Sequence, residues 1–423
     1  MSSKSSNAPA QRAAAASGAP GYRIALILLG IVATPVVLSA PTLGGGISLP
    51  FALSAIVVGA AILMAVTAVT LSIGEHARQP TYDIVRFPFG RSGAKAITVL
   101  LAVSVFGWTA VTANGFGTAA QSLLAELFGV AVPLPALVVI GCVIFVGATA
   151  FGFEILGKVA QFAVPVIAAL LAFLVYQSLR SGLAFATPAS PMSWGVAVSS
   201  VVGTAIVLVV TAADFGSFTR SRRQALLGAF LAFGIAYPLL YVAGAIPAAL
   251  TGEGSLIDAM AVIASALPAT VLLVFASVTA NAGNIFQGTL AVSTLITAVK
   301  KWQITVALGV AAAVVGSFDV TAWLPGFLLF LGIAAPPVAG IYIADFLLQR
   351  RRGYDAAVLT RDPAVKLPTF GVWIIGCAVG YSTAYGFFAL TQIPSIDSLL
   401  VSAVLYTVVT RLRRSGRISE ATR

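Results

Sequence analysis

Residues 267–298 read LPATVLLVFASVTANAGNIFQGTLAVSTLITA, an apolar segment of membrane-spanning length with polar residues in its middle. Hydrocarbon offers no partner to a threonine or an asparagine, and an unsatisfied polar group there costs several kcal/mol. The polar residues of SVTANAGNIF, at 277–286, must therefore face a protein cavity, a ligand, an ion or a neighbouring helix. The segment predicts a helix enclosed by other membrane helices.

The composition of the whole chain agrees with a polytopic membrane protein. Of its 423 residues, 59% are hydrophobic and 9% are charged, and the mean hydropathy is +1.02. These values exclude an ordinary soluble domain. Cys142 and Cys377 both lie inside apolar runs, so we interpret them as packing residues and not as a disulfide or metal ligands.

Apolar runs of membrane length predict an all-α protein with twelve transmembrane helices. The runs lie at 23–43, 48–74, 96–124, 132–152, 159–179, 194–215, 224–250, 267–298, 303–317, 323–348, 369–391 and 395–411. If the N-terminus is cytoplasmic, the inside connections hold 23 of the 24 Lys and Arg residues and leave only Arg180 outside. The positive-inside rule is independent of hydropathy, so this partition supports the span count and places both termini in the cytoplasm.

The connections between these runs are too short to hold a soluble domain. The predicted organisation is a disordered tail at 1–22, a ten-helix transport core at 23–348, a cytoplasmic loop at 349–368, two further helices at 369–411 and a basic tail at 412–423. No apolar run follows Met1 directly, so we expect no cleaved signal peptide. We expect a multi-pass protein of a bacterial-type inner membrane, without a nucleic acid partner or an obligate protein partner.

Two predicted helices carry residues that break helices. Gly30 and Pro35 lie in the first span, and Gly203 lies near the middle of the sixth. Many transporters bind substrate at the bilayer midplane on helices broken at corresponding positions of two inverted repeats. Spans 1–5 and 6–10 fit such a pair of repeats, although glycine and proline are also frequent in ordinary membrane helices.

Charged residues are absent from the middle of the predicted spans. All 13 acidic residues lie in connections or at span ends, and the single histidine, His76, lies in a connection. Because proton pumps use intramembrane Asp, Glu or His, a carboxylate proton relay and a charged substrate are both disfavoured. Carbonyl and hydroxyl oxygens remain as ligands for a small cation.

An aromatic ring lies in the middle of the third span. Trp108 is followed one turn later by Thr112, and tryptophan usually prefers the membrane interface. A ring with nearby hydroxyl and amide groups suits a flat, neutral, polar molecule, while packing in the protein core is the alternative interpretation.

Four stretches in matching order resemble the nucleobase:cation symporter family, in particular its bacterial cytosine-permease branch. They are RFPFG at 86–90, VVGTAIVLVVTAADFGSFTR at 201–220, TANAGNIFQGTL at 279–290 and LPGFLLFLGIAAPPVAGIYIADFLLQRRR at 324–352. The resemblance implies a leucine-transporter-like fold of two inverted five-helix repeats plus two C-terminal helices. It also implies sodium-coupled uptake of a nucleobase or related ring compound by alternating access.

The resemblance implies two sets of site residues, to which Thr112 is added because it lies one turn after Trp108. The substrate set is Trp108, Thr112, Thr204, Ala205, Val207, Asn281 and Asn284. The sodium set is Gly30, Ala33, Thr34, Ala276, Thr279 and Ala280. No cofactor is expected besides the coupling ion.

Three positions depart from the family pattern. Val105 replaces a glutamine, Ala205 replaces a phenylalanine, and Ala280 replaces the second of two adjacent hydroxyl ligands. The first two changes favour a larger or less polar ring than cytosine, and the third weakens the case for sodium.

The alternatives are a transporter of a vitamin precursor, a hydantoin or allantoin, or an amino acid, and a proton-coupled or uncoupled permease. An enzyme would need a cluster of catalytic side chains at one depth, which the sequence does not offer, and a channel would not saturate.

Overall fold

The computed structural model describes residues 18–34, 37, 47–149, 152–185, 193–253, 255–320, 323–351 and 353–421. These residues are almost entirely helical. Within them, one isolated β-bridge joins Ala19 to Thr219.

The described residues contain twelve apolar helices, numbered α1 to α12 in chain order. They are α1 Gly21–Val32, α2 Leu49–Ala77, α3 Gly93–Phe128, α4 Leu134–Thr149, α5 Phe153–Arg180, α6 Trp194–Val210, α7 Arg222–Thr251, α8 Leu267–Leu295, α9 Lys301–Gly316, α10 in two segments Leu324–Ala334 and Pro336–Asp345, α11 Leu367–Ala384 and α12 Pro394–Ala421. Eight of these helices are long and apolar enough to cross a membrane. The shorter apolar helices α1, α4, α6 and α9 occupy the other four predicted positions.

Several helix ends differ from the prediction. Helix α1 ends at Val32, and residues 35–36 and 38–43 of the predicted span lie outside the described residues. Helix α6 continues through Gly203 and ends at Val210, so the predicted break at Gly203 is wrong. Helix α12 continues to Ala421, through most of the segment predicted to be a basic tail.

Helix α8 is the most enclosed of the long helices. Of its most apolar stretch, 78% lies buried inside the protein, and it packs along α3 and against α1, α5 and α9. A side chain at Gly283 would collide with Ile31 of α1, so glycine lets these two helices approach closely. The polar face of α8 is therefore covered by protein, as its sequence requires.

The beginning of α1 and Ala19 before it contact the first turn of α5 and the segment that follows α6. The Ala19 amide donates to the Phe218 carbonyl at 2.8 Å. The Arg23 guanidinium donates to the Glu154 carbonyl at 2.9 Å. Three segments predicted to lie on the same side of the membrane are thus in contact.

Two further connections meet on this same side. The Thr81 amide donates to the Asp214 carboxylate at 2.7 Å, and the Lys366 ammonium donates to the Phe87 carbonyl at 2.8 Å. The connections after α2, α6 and α10 therefore form one layer, which we call the basic face because its three connections carry nine Lys and Arg residues.

Helices α11 and α12 pack on the second segment of α10. A side chain at Gly340 would collide with the Leu399 carbonyl, and one at Gly376 would collide with Ser402. The Tyr406 hydroxyl donates to the Asp345 carboxylate at 2.8 Å. The two C-terminal helices thus fix one half of α10.

Gly74 tests the packing of the basic face. A methyl group there would meet backbone atoms of Ala213, which cannot rotate away, so Gly74→Ala should destabilise the protein by about 1–3 kcal/mol. Thermal unfolding in detergent should show a lower melting temperature. The matched control is Gly147→Ala in α4, where the added methyl group would meet nothing within 4 Å. Equal melting temperatures for the two variants would contradict this packing.

Candidate functional site

A small central cavity lies where α1, α3, α6 and α8 meet. Its volume is about 30 Å³, enough for about two water molecules. Its walls are formed by Ile31, Val32, Thr34, Val105, Trp108, Thr204, Val207, Leu208, Asn284 and Gln287. None of these residues is charged, so the cavity suits a neutral molecule once it widens.

Trp108 forms the aromatic wall of the cavity. Its side chain is only 7% exposed, and its ring lies edge-on to Phe327 of α10 with centroids 6.4 Å apart. A side chain at position 107 would collide with the Phe327 ring, so Gly107 is what admits this contact. The contact leaves Trp108 between α10 and the cavity.

Thr204 is held by two tyrosines of α7. Its hydroxyl lies 2.9 Å from the Tyr237 hydroxyl and 3.2 Å from the Tyr241 hydroxyl. Tyr237 donates in turn to the Val201 carbonyl at 2.8 Å. This network fixes α6 against α7 at the depth of the cavity.

Two amides of α8 line the cavity wall opposite these groups. The Asn284 amide forms no hydrogen bond with any described residue, although its residue is only 6% exposed. Gln287 donates from its amide nitrogen to the Thr211 hydroxyl at 2.8 Å. Gln287 was not predicted from the sequence. Its position two turns after Thr279 on a polar helix was the only available signal.

Four of the seven predicted substrate residues line the cavity, namely Trp108, Thr204, Val207 and Asn284. Thr112, Ala205 and Asn281 do not.

Thr112 and Asn281 form a hydrogen bond with each other. The Thr112 hydroxyl and the Asn281 amide are 2.5 Å apart, and the Asn281 nitrogen donates to the Thr109 carbonyl at 3.1 Å. Asn281 is fully buried, so in this conformation it joins α8 to α3. This is the helix-bridging alternative for a polar residue in a membrane.

Three of the predicted sodium residues, Gly30, Ala33 and Thr34, lie at the end of α1. Ala33 and Thr34 leave the helix, and the Thr34 amide donates to the Val32 carbonyl at 2.7 Å. That bond removes the donor that would otherwise reach the Gly30 carbonyl. Pro35 has no amide hydrogen to offer the Ile31 carbonyl. The end of α1 therefore presents backbone oxygens without their helical donors.

Thr279 of α8 faces this end of α1. A methyl group at Gly30 would lie 3.4 Å from the Thr279 Cβ, so the two residues are direct neighbours. The Thr279 hydroxyl donates to the Ala276 carbonyl at 3.0 Å, which leaves its lone pairs free to accept. Ala280 is buried and contributes no hydroxyl. The oxygens gathered here are of the kind that hard cations prefer.

An aromatic cluster joins α5, α8 and the segment after α6. Phe153 and Phe218 stack with centroids 4.3 Å apart, and Phe286 lies 6.1 Å from Phe215 and 6.2 Å from Phe218. We call these rings the aromatic plug.

A larger cavity opens on the side away from the basic face. Its volume is about 460 Å³, and it is lined by α6, α7, α10, α11 and the start of α12, together with Gln392. It shares Thr204 with the central cavity. The central cavity thus adjoins this larger space at Thr204.

Among the described residues, no group of three or more His, Cys, Asp or Glu side chains is placed to hold a metal ion. The two cysteines do not pair: Cys142 is buried in α4 and Cys377 is partly buried in α11.

Comparison with known families gives an extensive match. The description "permease for cytosine/purines, uracil, thiamine, allantoin" fits residues 24–401 of the chain. The chain is 29% identical to the cytosine permease of Escherichia coli K12 over 374 residues, which cover 87% of this chain and 85% of the relative. Cytosine permease of Escherichia coli O157:H7 matches with the same values.

Solved structures confirm the predicted fold. Mhp1, a nucleobase-cation-symport-1 family transporter in a closed conformation with bromovinylhydantoin bound, gives a TM-score of 0.83 at 20% identity, covering 94% of this chain and 93% of that chain. Mhp1 in an inward-facing conformation gives 0.77 at 20% identity, covering 95% and 94%. A Na⁺-coupled sialic acid symporter gives 0.65 at 9% identity, covering 94% and 90%.

The aromatic plug can be tested by cysteine labelling. In a chain lacking Cys142 and Cys377, a cysteine placed at Val207 should react slowly with a thiol reagent applied from the basic face. Phe218→Ala removes a stacked pair of about 1 kcal/mol and should speed labelling about fivefold. Phe116→Ala is the control, because Phe116 pairs with Phe145 at 5.4 Å in a separate cluster. Unchanged labelling in Phe218→Ala would show that the plug does not close this side.

Proposed function

This chain belongs to the family of permeases for cytosine/purines, uracil, thiamine and allantoin, and we propose that it imports a nucleobase or a related neutral ring compound together with a sodium ion. It is a multi-pass membrane transporter and not an enzyme. The observation that carries the proposal is the central cavity, where one aromatic face and two amides meet without any charged side chain.

The shape of these groups favours a flat ring as cargo. Trp108 offers a ring face on which a planar molecule can stack. Asn284 and Gln287 offer amide groups that match the N–H and C=O groups on the edge of a nucleobase. A charged ligand would be buried here without a counter-charge, which is strongly unfavourable.

The cavity must widen before it admits such a ring, because its present volume is about 30 Å³. Val105 stands in the wall where the family resemblance implies a glutamine. An apolar residue there reduces the polarity of the site, which supports a ring other than cytosine itself. Purines, uracil and hydantoin-type rings are therefore included as candidate cargoes.

The sodium proposal is supported by the junction of α1 and α8. Backbone oxygens near Gly30 and the Thr279 hydroxyl lie together there. This junction also adjoins the cavity, because Ile31, Val32 and Thr34 line it. A cation at the junction would hold the end of α1 in the shape that forms the cavity wall. Binding of the ion and of the substrate would thus favour each other.

Transport would follow the alternating-access scheme. With the basic face in the cytoplasm, as the positive-inside rule assigns it, the plug closes the cytoplasmic side and substrate enters through the larger outer cavity. Release requires separation of the rings of the plug. An ion drives this cycle only to the extent that its affinity differs between the two states.

Uptake into proteoliposomes tests the proposed function. We expect saturable uptake of at least one compound among radiolabelled cytosine, adenine, hypoxanthine, uracil and hydantoin, stimulated by an inward sodium gradient. Trp108→Ala should abolish uptake, because it removes the stacking surface. Absence of uptake for the whole panel by a correctly folded protein would refute the proposal. Equal uptake with and without the gradient would refute its sodium component alone.

Thr279→Ala tests the cation site separately. Loss of a hydroxyl ligand to an ion should cost about 1.5–3 kcal/mol, which raises the sodium concentration for half-maximal stimulation about 10- to 100-fold. The order of preference among substrates should stay the same. Thr270→Ala is the matched control, since Thr270 is a buried threonine of α8 whose hydroxyl donates to the Ala266 carbonyl at 3.0 Å. Equal sodium dependence in Thr279→Ala and Thr270→Ala would exclude Thr279 as a ligand.

A further inference from the structure

Gln287 differs from Asn284 in how its amide is held. Gln287 lines the central cavity and is only 1% exposed. Its nitrogen lies 2.8 Å from the Thr211 hydroxyl and 3.4 Å from the Asp214 carboxylate. Both partners follow the end of α6, so the amide connects α8 to the segment beneath the cavity.

The Thr211 hydroxyl can only accept from this amide. It donates its own hydrogen to the Val207 carbonyl at 2.9 Å, which leaves lone pairs for Gln287. The nitrogen of Gln287, and not its oxygen, must therefore face Thr211.

Asp214 adds a second acceptor on the same side. Its carboxylate accepts from the Thr81 amide at 2.7 Å, and its side chain is fully buried. Among the described residues, no Lys or Arg forms an ion pair with it. Asp214 is thus fixed by neutral donors, one of which is Gln287.

These contacts determine what Gln287 shows to the cavity. Its nitrogen is directed away, toward Thr211 and Asp214, and its carbonyl oxygen accepts no hydrogen bond from any described residue. The carbonyl is consequently the polar atom that remains for a ligand. Asn284 has no such partners and can turn either end of its amide toward a ligand.

We propose that Gln287 is a specificity-determining residue that acts as a fixed hydrogen-bond acceptor, and that Thr211 and Asp214 are the positioning residues that keep its carbonyl toward the substrate. This inference rests on the proposed function and defines the substrate more closely. The ring must present an unsubstituted N–H to Gln287. A neighbouring carbonyl or imine nitrogen can then pair with Asn284. Rings that offer only acceptors on that edge are rejected, because a ring acceptor would then face the Gln287 carbonyl oxygen with no hydrogen between them.

The test measures binding of the base that wild type transports best and of each of its singly N-methylated derivatives. In wild type, methylation of one particular nitrogen should weaken binding about 10- to 100-fold. In Gln287→Leu, the parent base should bind about tenfold more weakly. The penalty for methylating that same nitrogen should largely disappear in this variant, because leucine accepts no hydrogen bond from the ring N–H and methylation then removes no hydrogen bond.

Gln349→Leu is the matched control. Gln349 also donates its amide nitrogen to a carboxylate, that of Asp345 at 2.9 Å, but it lies outside the central cavity. This variant should keep the full methylation penalty of wild type.

Asp214→Asn tests the positioning role. The asparagine amide can also donate to the Gln287 oxygen, so Thr211 alone still favours the original orientation of the Gln287 amide. The methylation penalty should fall while binding of the parent base changes less. A merely structural role for Asp214 would lower the melting temperature and leave the discrimination between N–H and N-methyl unchanged.

The outcomes separate the two proposals. If bases bind to wild type and Gln287→Leu retains the same penalty at every nitrogen, the inference is overturned and the proposed function stands. If no member of the uptake panel binds to folded wild-type protein, the proposed function falls and the inference falls with it.

Discussion

A polar group in a membrane helix needs a partner, and the architecture around α8 follows from this requirement. Thr279 bonds to the carbonyl of Ala276 and faces the end of α1. Asn281 bonds to α3, and Gln287 bonds to the segment after α6. Asn281 and Gln287 thus fix two different neighbours of α8. Asn284 differs from them, since its amide has no partner among the described residues and it lies on the cavity wall. An amide without a protein partner on the cavity wall is available to a ligand.

The sequence predicted the class of fold well, because hydropathy and the distribution of Lys and Arg report directly on membrane spans. It predicted the site less completely. Trp108 and Asn284 were identified from their polarity or aromatic character in apolar helices, and both line the cavity. Asn281 has the same sequence signature as Asn284, yet its side chain faces α3. Three residues separate the two, which is not a whole number of helical turns, and one sequence alone does not tell which face meets the cavity.

The contact between Gln287 and Asp214 could not be predicted from their positions in the sequence. The sequence placed Asp214 at the end of a span and gave no reason to associate it with a substrate. The association depends on the turn after Val210, which brings Thr211 and Asp214 beneath α8. The predicted break at Gly203 failed for a related reason. A glycine permits a break, but the backbone of α6 stays helical there, held on one side by Thr204 and its two tyrosines.

Two prolines at the junction of its two segments make α10 easier to bend there than elsewhere along its length. Pro336 and Pro337 have no amide hydrogens, so the carbonyls of Gly332 and Ile333 lack their usual helical donors, and fewer backbone hydrogen bonds join the two segments than in an unbroken helix. Below this point, Gly340 is pressed against α12 and Asp345 is bonded to Tyr406. Above it, Phe327 rests edge-on against Trp108. The second segment of α10 is thus held by α12. The first segment can bend at the two prolines, and it contacts the aromatic wall of the cavity through Phe327. A small molecule bound against this first segment would prevent it from bending, and it would not need to resemble the transported substrate.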